Sequence, residues 1–338
     1  MNSVKAKLES VYGTLRIHGF HPRRGVYLIP GPKGAGAASG AWVLKQLKVG
    51  AGKAYLTGKL LTDASLRQLT PGLIQTESGS YYLWIGGNRY HLTNYLEGAG
   101  ADYYRIADLQ AAICSMALFH RLTRQLITRD QSSWALIKFN LFQEWQKRLA
   151  ELKICRDLAL KTLDAQSIGP GAGDLARKYL QLWPECYSQT LQAYAGLMDS
   201  DYASGASNPI CYHDWAHHNL IIRDGTAFLI DFDYMLIDHP AHDRANLAGH
   251  YLRLHQWSLH SLDTILERFA RDYPFGPGEL KLLRLFLLFP YDFWILGRQY
   301  FIEKQPWSLK YYQTQWDRKI NLYKHRNRLL DVMERLCT

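Results

Sequence analysis

Between Cys211 and Asp233 the sequence reads Cys-Tyr-His-Asp-Trp-Ala-His-His-Asn-Leu-Ile-Ile-Arg-Asp-Gly-Thr-Ala-Phe-Leu-Ile-Asp-Phe-Asp, a stretch dense in oxygen donors. The apolar runs Leu220–Ile222 and Ala227–Ile230 flank Asp224-Gly225, a pair that accepts positive φ and marks a hairpin turn. A two-residue turn pairs Asn219 with Ile230, and a three-residue bulged turn pairs it with Asp231. Either register sets Asn219 beside Asp231, because neighbouring strands lie about 5 Å apart. Asp214 stands on the loop entering the hairpin. Two carboxylates and a carboxamide at one end of a buried hairpin are hard oxygen ligands, suited to Mg²⁺ rather than zinc. Phosphoryl transfer asks for this set: one carboxylate to orient or deprotonate a hydroxyl, and an Asn and a second Asp to hold the metal on the β- and γ-phosphates. The competing plain reading is a group of satisfied polar residues around a hairpin.

The spacing Asp214-x₄-Asn219 followed by Asp231 after a hairpin is that of a kinase catalytic loop and its metal-binding Asp. With Ile230-Asp231-Phe232-Asp233 it resembles the HxDxxxxN…DFD signature of aminoglycoside and choline phosphotransferases. Cys211 to Leu220 resembles more closely the "cHhDyahHNll" stretch of the CotS family of spore coat proteins. Phe289-Pro-Tyr-Asp-Phe-Trp-Ile-Leu-Gly-Arg-Gln-Tyr300 with Trp307 resembles that family's "FPxxFWxxxxQYY…W" block, and Val26-Tyr27, Leu44-Lys45 and Tyr95-Leu96-Glu97-Gly98 resemble its N-terminal marks. The similarity spans nearly the whole chain.

The resemblance implies an α+β, bilobal protein-kinase-like fold, with a β-rich N-lobe over residues 1–93 and a helical C-lobe over 94–338. It implies ATP and Mg²⁺ as cofactors, Asp214 as catalytic base, and Asn219 and Asp231 as metal ligands. Lys45 would hold the α/β-phosphates, while Tyr95, Leu96 and Glu97 would receive the adenine. The implied setting is the mother-cell cytoplasm of an endospore former, with deposition in the spore coat. Partners would be a nucleotide and either an unidentified hydroxyl acceptor or other coat proteins. Acceptor pockets in such proteins are built from variable helical segments, here about 140–205. The alternative is a pseudokinase acting as a structural coat component.

Several departures favour that alternative. The loop His two residues before Asp is replaced by Tyr212, and the histidine moves to 213, where a structural role is expected. The N-lobe helix, read over Lys59–Leu69, holds Asp63 as its sole acid, so the Lys–Glu ion pair that positions the phosphate lysine lacks a clear second member. The Gly31–Gly40 run has no Gly-Lys-Ser/Thr and is not a Walker A loop. It reads as the link between strands two and three, which leaves His21–Gly25, with Arg23 and Arg24, as a phosphate-covering loop. His213, His217, His218, His239, His242 and His250 invite a metal-hydrolase reading, and Asp231-x-Asp233 a glycosyltransferase one; both are weaker. Asp243 reads as a structural brace of the loop.

The elements that would position these residues follow from pattern. A short helix over 3–13 precedes β-type runs at Thr14–His18, Val26–Pro30, Ala41–Leu47, Tyr81–Gly86 and Arg89–Thr93, separated by turn signals. Helical periodicity then dominates: Arg105–Leu122, and segments near 138–163, 172–199, 258–272, 278–303 and 308–336. The 338 residues are 47% hydrophobic and 21% charged, ordinary for a globular chain. A net charge of +10 suits a polyanion such as nucleotide phosphate, yet the basic residues are dispersed and no nucleic-acid module is present. Five scattered cysteines without a CxxC pair argue against a zinc site or a disulfide framework, and for a reducing compartment. The N-terminus lacks the apolar core of a signal peptide. Leu280–Gly297, interrupted by Lys281, Arg284 and Asp292, reads as one buried amphipathic helix rather than a membrane span.

Overall fold

The computed structural model describes residues 7–8, 10–12, 21–23, 26–29, 40–164, 170–200, 202 and 208–337. The expected strand Thr14–His18, Arg24 and most of the Gly31–Gly40 run lie outside them. The chain divides into two compact units that interleave in sequence: Met1–Lys138 with Ser207–Asp243, and Phe139–Ala206 with Arg244–Thr338.

Among the described residues, all the strands lie in the first unit. β1 (His21–Arg23), β2 (Val26–Ile29), β3 (Trp42–Leu47), β4 (Leu83–Ile85) and β5 (Asn88–Asn94) form an antiparallel sheet in the order β1-β2-β3-β5-β4. β2 pairs antiparallel with β3, Val26 opposite Lys45 and Ile29 opposite Trp42. Alternation along β3 buries Leu44 in a core with Ile29, Leu83, Tyr90, Leu92, Leu8 and Tyr12, and turns Lys45 to the opposite face. The helix Ala51–Thr62 follows, packing Ala54, Leu56, Leu60 and Leu61 inward. A Cβ on its Gly58 would lie 2.2 Å from the Cβ of Tyr81, so a glycine permits this close approach.

This helix corrects the expectation of Lys59–Leu69. It begins eight residues earlier, after Gly50, and ends before Asp63, whose carboxylate accepts the Ser65 N–H (3.0 Å) and caps a separate 3₁₀ turn, Ala64–Gln68. A capping side chain starts a new element, and the 51–62 helix cannot run through it.

Beyond β5, residues 95–98 lead to β6 (Ala99–Gly100), which pairs with β8 (Leu220–Arg223); β8 pairs in turn with β9 (Thr226–Leu229). The long helix Ile106–Arg129 lies on this small sheet, its Ser115 hydroxyl accepting the Ala227 N–H. β7 (Ile210–Cys211) pairs with β10 (Leu236–Ile237).

The second unit is helical: Leu141–Asp164, Pro170–Met198, Leu259–Asp272, Glu279–Leu288, Tyr291–Gly297 and Leu309–Cys337. Its core includes Tyr179, stacked on Phe293 with centroids 4.4 Å apart and edge-on to Trp316. Two expectations fail. The segment 278–303 is broken, because Pro290 offers no N–H and holds Phe289 extended (φ −63°, ψ 123°). The helix Pro240–Leu254 was not anticipated, although Pro240 at its first position is a start signal. All five cysteines are free. Among the described residues no helix is long and apolar enough to cross a membrane.

Candidate functional site

Asp224 (φ 50°) and Gly225 (φ 72°) both adopt positive φ, forming the two-residue turn between β8 and β9. Of the two possible registers the chain takes the one that pairs Asn219 with Ile230, whose N–H donates to the Asn219 carbonyl at 3.0 Å. Asn219 is buried, and its Nδ2 donates to the Asp214 carbonyl at 3.3 Å. Asp214 is half-buried. Burial pushes its carboxyl above the usual carboxylate range; Asn219, His218 and Lys45 oppose that shift, and Asp231 adds to it. Asp231 is itself in the left-handed region (φ 68°), just past the hairpin.

Lys45 joins this group from a distant part of the chain. Its ammonium donates to Asp231 Oδ1 at 2.5 Å and lies 3.0 Å from Asp233 Oδ1. Lys45, Asp214, Asn219 and Asp231 are thus gathered in one place. Tyr95, Leu96 and Glu97 form a separate segment after β5. The Tyr95 N–H donates to Ala41 O (3.0 Å), Tyr95 and Glu97 are exposed, and Leu96 is half-buried. At the end of this segment Gly98 (φ 152°) presses on β8: a Cβ there would stand 2.6 Å from the Ile222 carbonyl oxygen.

The loop before Asp214 is held by groups the motif does not name. His213 adopts φ 65°, a left-handed conformation that costs a non-glycine residue about 1–2 kcal/mol. Its N–H donates to Asp243 Oδ1 (2.7 Å), the Tyr212 N–H to Asp243 Oδ2 (2.8 Å), and His120 Nε2 lies 2.8 Å from the same Oδ2. Burial works to raise the Asp243 carboxyl, but the hydrogen bond and charge of His120, with the charge of His213, hold it below its ordinary value. Asp243 is therefore the expected brace. Tyr212 replaces the anticipated His with its own contacts. Its hydroxyl donates to the Ile230 carbonyl, and its ring meets Trp215 and Phe232 edge-on at 5.5 and 5.3 Å. One aromatic side chain thus ties the loop to the segment carrying Asp231.

The helix Ala51–Thr62 bears no acidic residue. Asp63 is occupied elsewhere, as a cap and 3.5 Å from Arg129. The helix instead offers Lys53, whose ammonium burial draws down to about 8, against the upward pull of Asp233. Sequence reasoning missed both Lys53 and Asp233 as members of this group. Asp233 was visible as the second acid of Asp-x-Asp, whereas Lys53 carried no signal because the helix had been placed too late. Arg23 lies at the end of β1, opposite Val26 of β2.

The oxygen donors of Asn219 and Asp231 are of the type a hard divalent ion takes, and the half-exposed Asp231 carboxylate is open to it. Lys45 and Lys53 set two ammonium groups beside the carboxylates of Asp231 and Asp233.

No family model matches the chain. It is similar to Spore coat protein S of Bacillus subtilis (strain 168): 21% identical over 273 residues, 78% of this chain and 74% of that protein. Among solved structures, an aminoglycoside phosphotransferase from Alicyclobacillus acidocaldarius superposes with a TM-score of 0.76 at 18% identity, covering 97% of this chain and 94% of the other. A spectinomycin phosphotransferase, solved with ADP and spectinomycin, superposes with a TM-score of 0.67 at 10% identity, covering 98% of both. The fold is thus protein-kinase-like, with a small β-sheet N-terminal region and a larger helical C-terminal part. The resemblance to spore coat proteins and to phosphotransferases, first carried by the motifs, holds along most of the chain.

Proposed function

We propose that this is a spore-coat-associated protein that binds ATP with Mg²⁺ and transfers the terminal phosphoryl group to a hydroxyl. The observation that carries the reading is the Lys45 ammonium seated on the Asp231 and Asp233 carboxylates. The sequence neighbour named as a spore coat protein supports coat association, after synthesis in the mother-cell cytoplasm. The fold neighbour solved with ADP supports a nucleotide site. The nucleotide-binding lobe would be residues 1–93 and the remainder, 94–338, would carry the hairpin and the acceptor side.

In this reading Lys45 exchanges its carboxylate partners for α/β-phosphate oxygens, and Tyr95 to Glu97 receive the adenine. Asn219 and Asp231 would hold the Mg²⁺, which would supply neutralisation of charge on the β- and γ-phosphates. Asp214 accepts the proton of the attacking hydroxyl as its oxygen bonds to phosphorus and the bond to the departing ADP breaks. Burial already raises the Asp214 carboxyl toward a base's working range. A second reading, a catalytically weak pseudokinase that serves the coat as a structural component, is favoured by one observation. The helix Ala51–Thr62 presents Lys53 and no acid to the phosphate lysine's surroundings.

Thermal melting with nucleotide separates the two. Saturating ATP–Mg²⁺, at about 100 times its dissociation constant, should add about 2.7 kcal/mol of stability. Asp231→Ala should remove the magnesium-dependent part. Asp214→Asn should keep nucleotide binding and lose turnover, read as ADP release, by about two orders of magnitude. A wild-type melting temperature unmoved by millimolar ATP and Mg²⁺ would hand the protein to the structural reading.

A further inference from the structure

A second set of donors converges outside the Lys45–Asp231 group. His213 comes from the loop before Asp214, Asp238 directly follows β10, and His242 lies in the first turn of the helix Pro240–Leu254. His213 Nε2 lies 3.0 Å and His242 Nδ1 2.6 Å from Asp238 Oδ2. All three donor atoms lie within 4.8 Å of one another, and the two imidazole rings meet edge-on with centroids 4.3 Å apart. The geometry points to a binding site for a late divalent transition metal of the Zn²⁺ class, built from two imidazoles and one carboxylate with a water in the fourth position.

Bonds of about 2.0–2.1 Å in a tetrahedral arrangement set ligand atoms roughly 3.4 Å apart. Separations of 2.6 and 3.0 Å reach that with shifts of less than an ångström. Two imidazoles select a borderline-soft ion, in contrast to the all-oxygen set of Asn219 and Asp231. The cysteine pattern, which argues against a zinc site, has no bearing on one made of nitrogen and oxygen donors.

The ligands are already oriented. The His239 N–H donates to Asp238 Oδ1 at 2.6 Å, which directs Oδ2 toward the histidines. The Asp238 N–H is fixed on the Pro209 carbonyl (3.2 Å), and the His213 backbone on Asp243. Such outer contacts are what hold metal ligands in place. The Asp238 carboxylate is fully buried, whereas 17% of the His242 side chain is exposed and gives an ion its entry. A neighbouring trio, His120, Cys211 and Asp243, is fully buried, and both Asp243 oxygens are committed to holding the loop. An ion at the first trio would clamp the left-handed residue next to Asp214 to the helix behind it.

The test uses full-length protein stripped with EDTA and held in saturating Mg²⁺. Titration with Zn²⁺ should fill one site per chain, and Co²⁺ should give the visible absorption of a four-coordinate site without thiolate charge transfer. His242→Ala should weaken Zn²⁺ binding on the order of 100-fold or more, since loss of an outer contact alone costs about 10–100-fold. Asp231→Ala should leave it unchanged, which separates this site from the proposed nucleotide one. Wild-type protein that takes up no Zn²⁺ at micromolar concentration overturns the inference whether or not the variants fold. So do a cysteine-type Co²⁺ spectrum and binding indifferent to His242→Ala in a folded variant.

Discussion

Replacing Asp243 by Ala tests whether one buried carboxylate holds the loop that carries Asp214. The side chain accepts the N–H groups of Tyr212 (2.8 Å) and His213 (2.7 Å) and faces His120 Nε2 at 2.8 Å, with no exposure to water. Alanine leaves two buried donors unsatisfied, at about 1–3 kcal/mol each, or about 2–6 kcal/mol together. A loss near 4 kcal/mol corresponds to about a thousandfold in an opening equilibrium. Amide hydrogen exchange at Tyr212 and His213 reads it directly. Protection there should fall by about three orders of magnitude while the helix Leu309–Cys337, in the other unit, keeps its own. Asp243→Asn, which retains one acceptor oxygen, should fall between. Protection of Tyr212 and His213 within about tenfold of wild type would refute the reasoning. An equal collapse in Leu309–Cys337 would show that Asp243 supports the whole chain rather than the loop.

Gly98→Ala should destabilise the protein by about 1–3 kcal/mol, because its Cβ meets the Ile222 carbonyl at 2.6 Å on a backbone with φ 152°; an unchanged urea midpoint would contradict this. Acid should act through His91, whose burial, against its bond to Ala54 O, draws its pKa down to about 4 from 6.5. Between those values the unfolded chain binds the extra proton, so stability is lost as pH falls from 6.5 to 4, by about 3 kcal/mol. Urea midpoints across that window should flatten in His91→Gln, and an identical slope in the variant would exclude His91 as the source.

The hairpin was legible because its determinants are local. Asp224-Gly225 accepts two positive φ values, and the apolar runs beside it leave two possible registers, both placing Asn219 near Asp231. Lys45 came from the family resemblance, on a run that reads as a strand; the alternation along β3, with Leu44 inside and its neighbour on the other face, belongs to the structure. What escaped the sequence depends on partners far along the chain. The helix Ala51–Thr62 opens on Gly50-Ala51-Gly52, whose glycines weaken the helical signal, and its end at Asp63 depends on a cap contact that spacing does not announce. Tyr212 looked like the loss of a motif histidine, yet its hydroxyl and ring make the tie to Ile230 and Phe232, which no local pattern encodes. The break at Pro290 is local, yet the apolar run on either side of it continues the helical pattern.

The interleaving of the two units has a consequence for synthesis. Lys45 and Asp231 are 186 residues apart, and at about 5–20 residues per second the ribosome needs roughly 10–40 s to travel from one to the other. Through that interval the N-terminal sheet has left the ribosome without the carboxylates its lysine will meet. Residues 139–206 emerge before either unit is complete, and their own partners, from 244 onward, come last. The newborn chain thus carries two half-built cores at once, with apolar faces waiting on sequence not yet made. A holding chaperone would be most needed in that window.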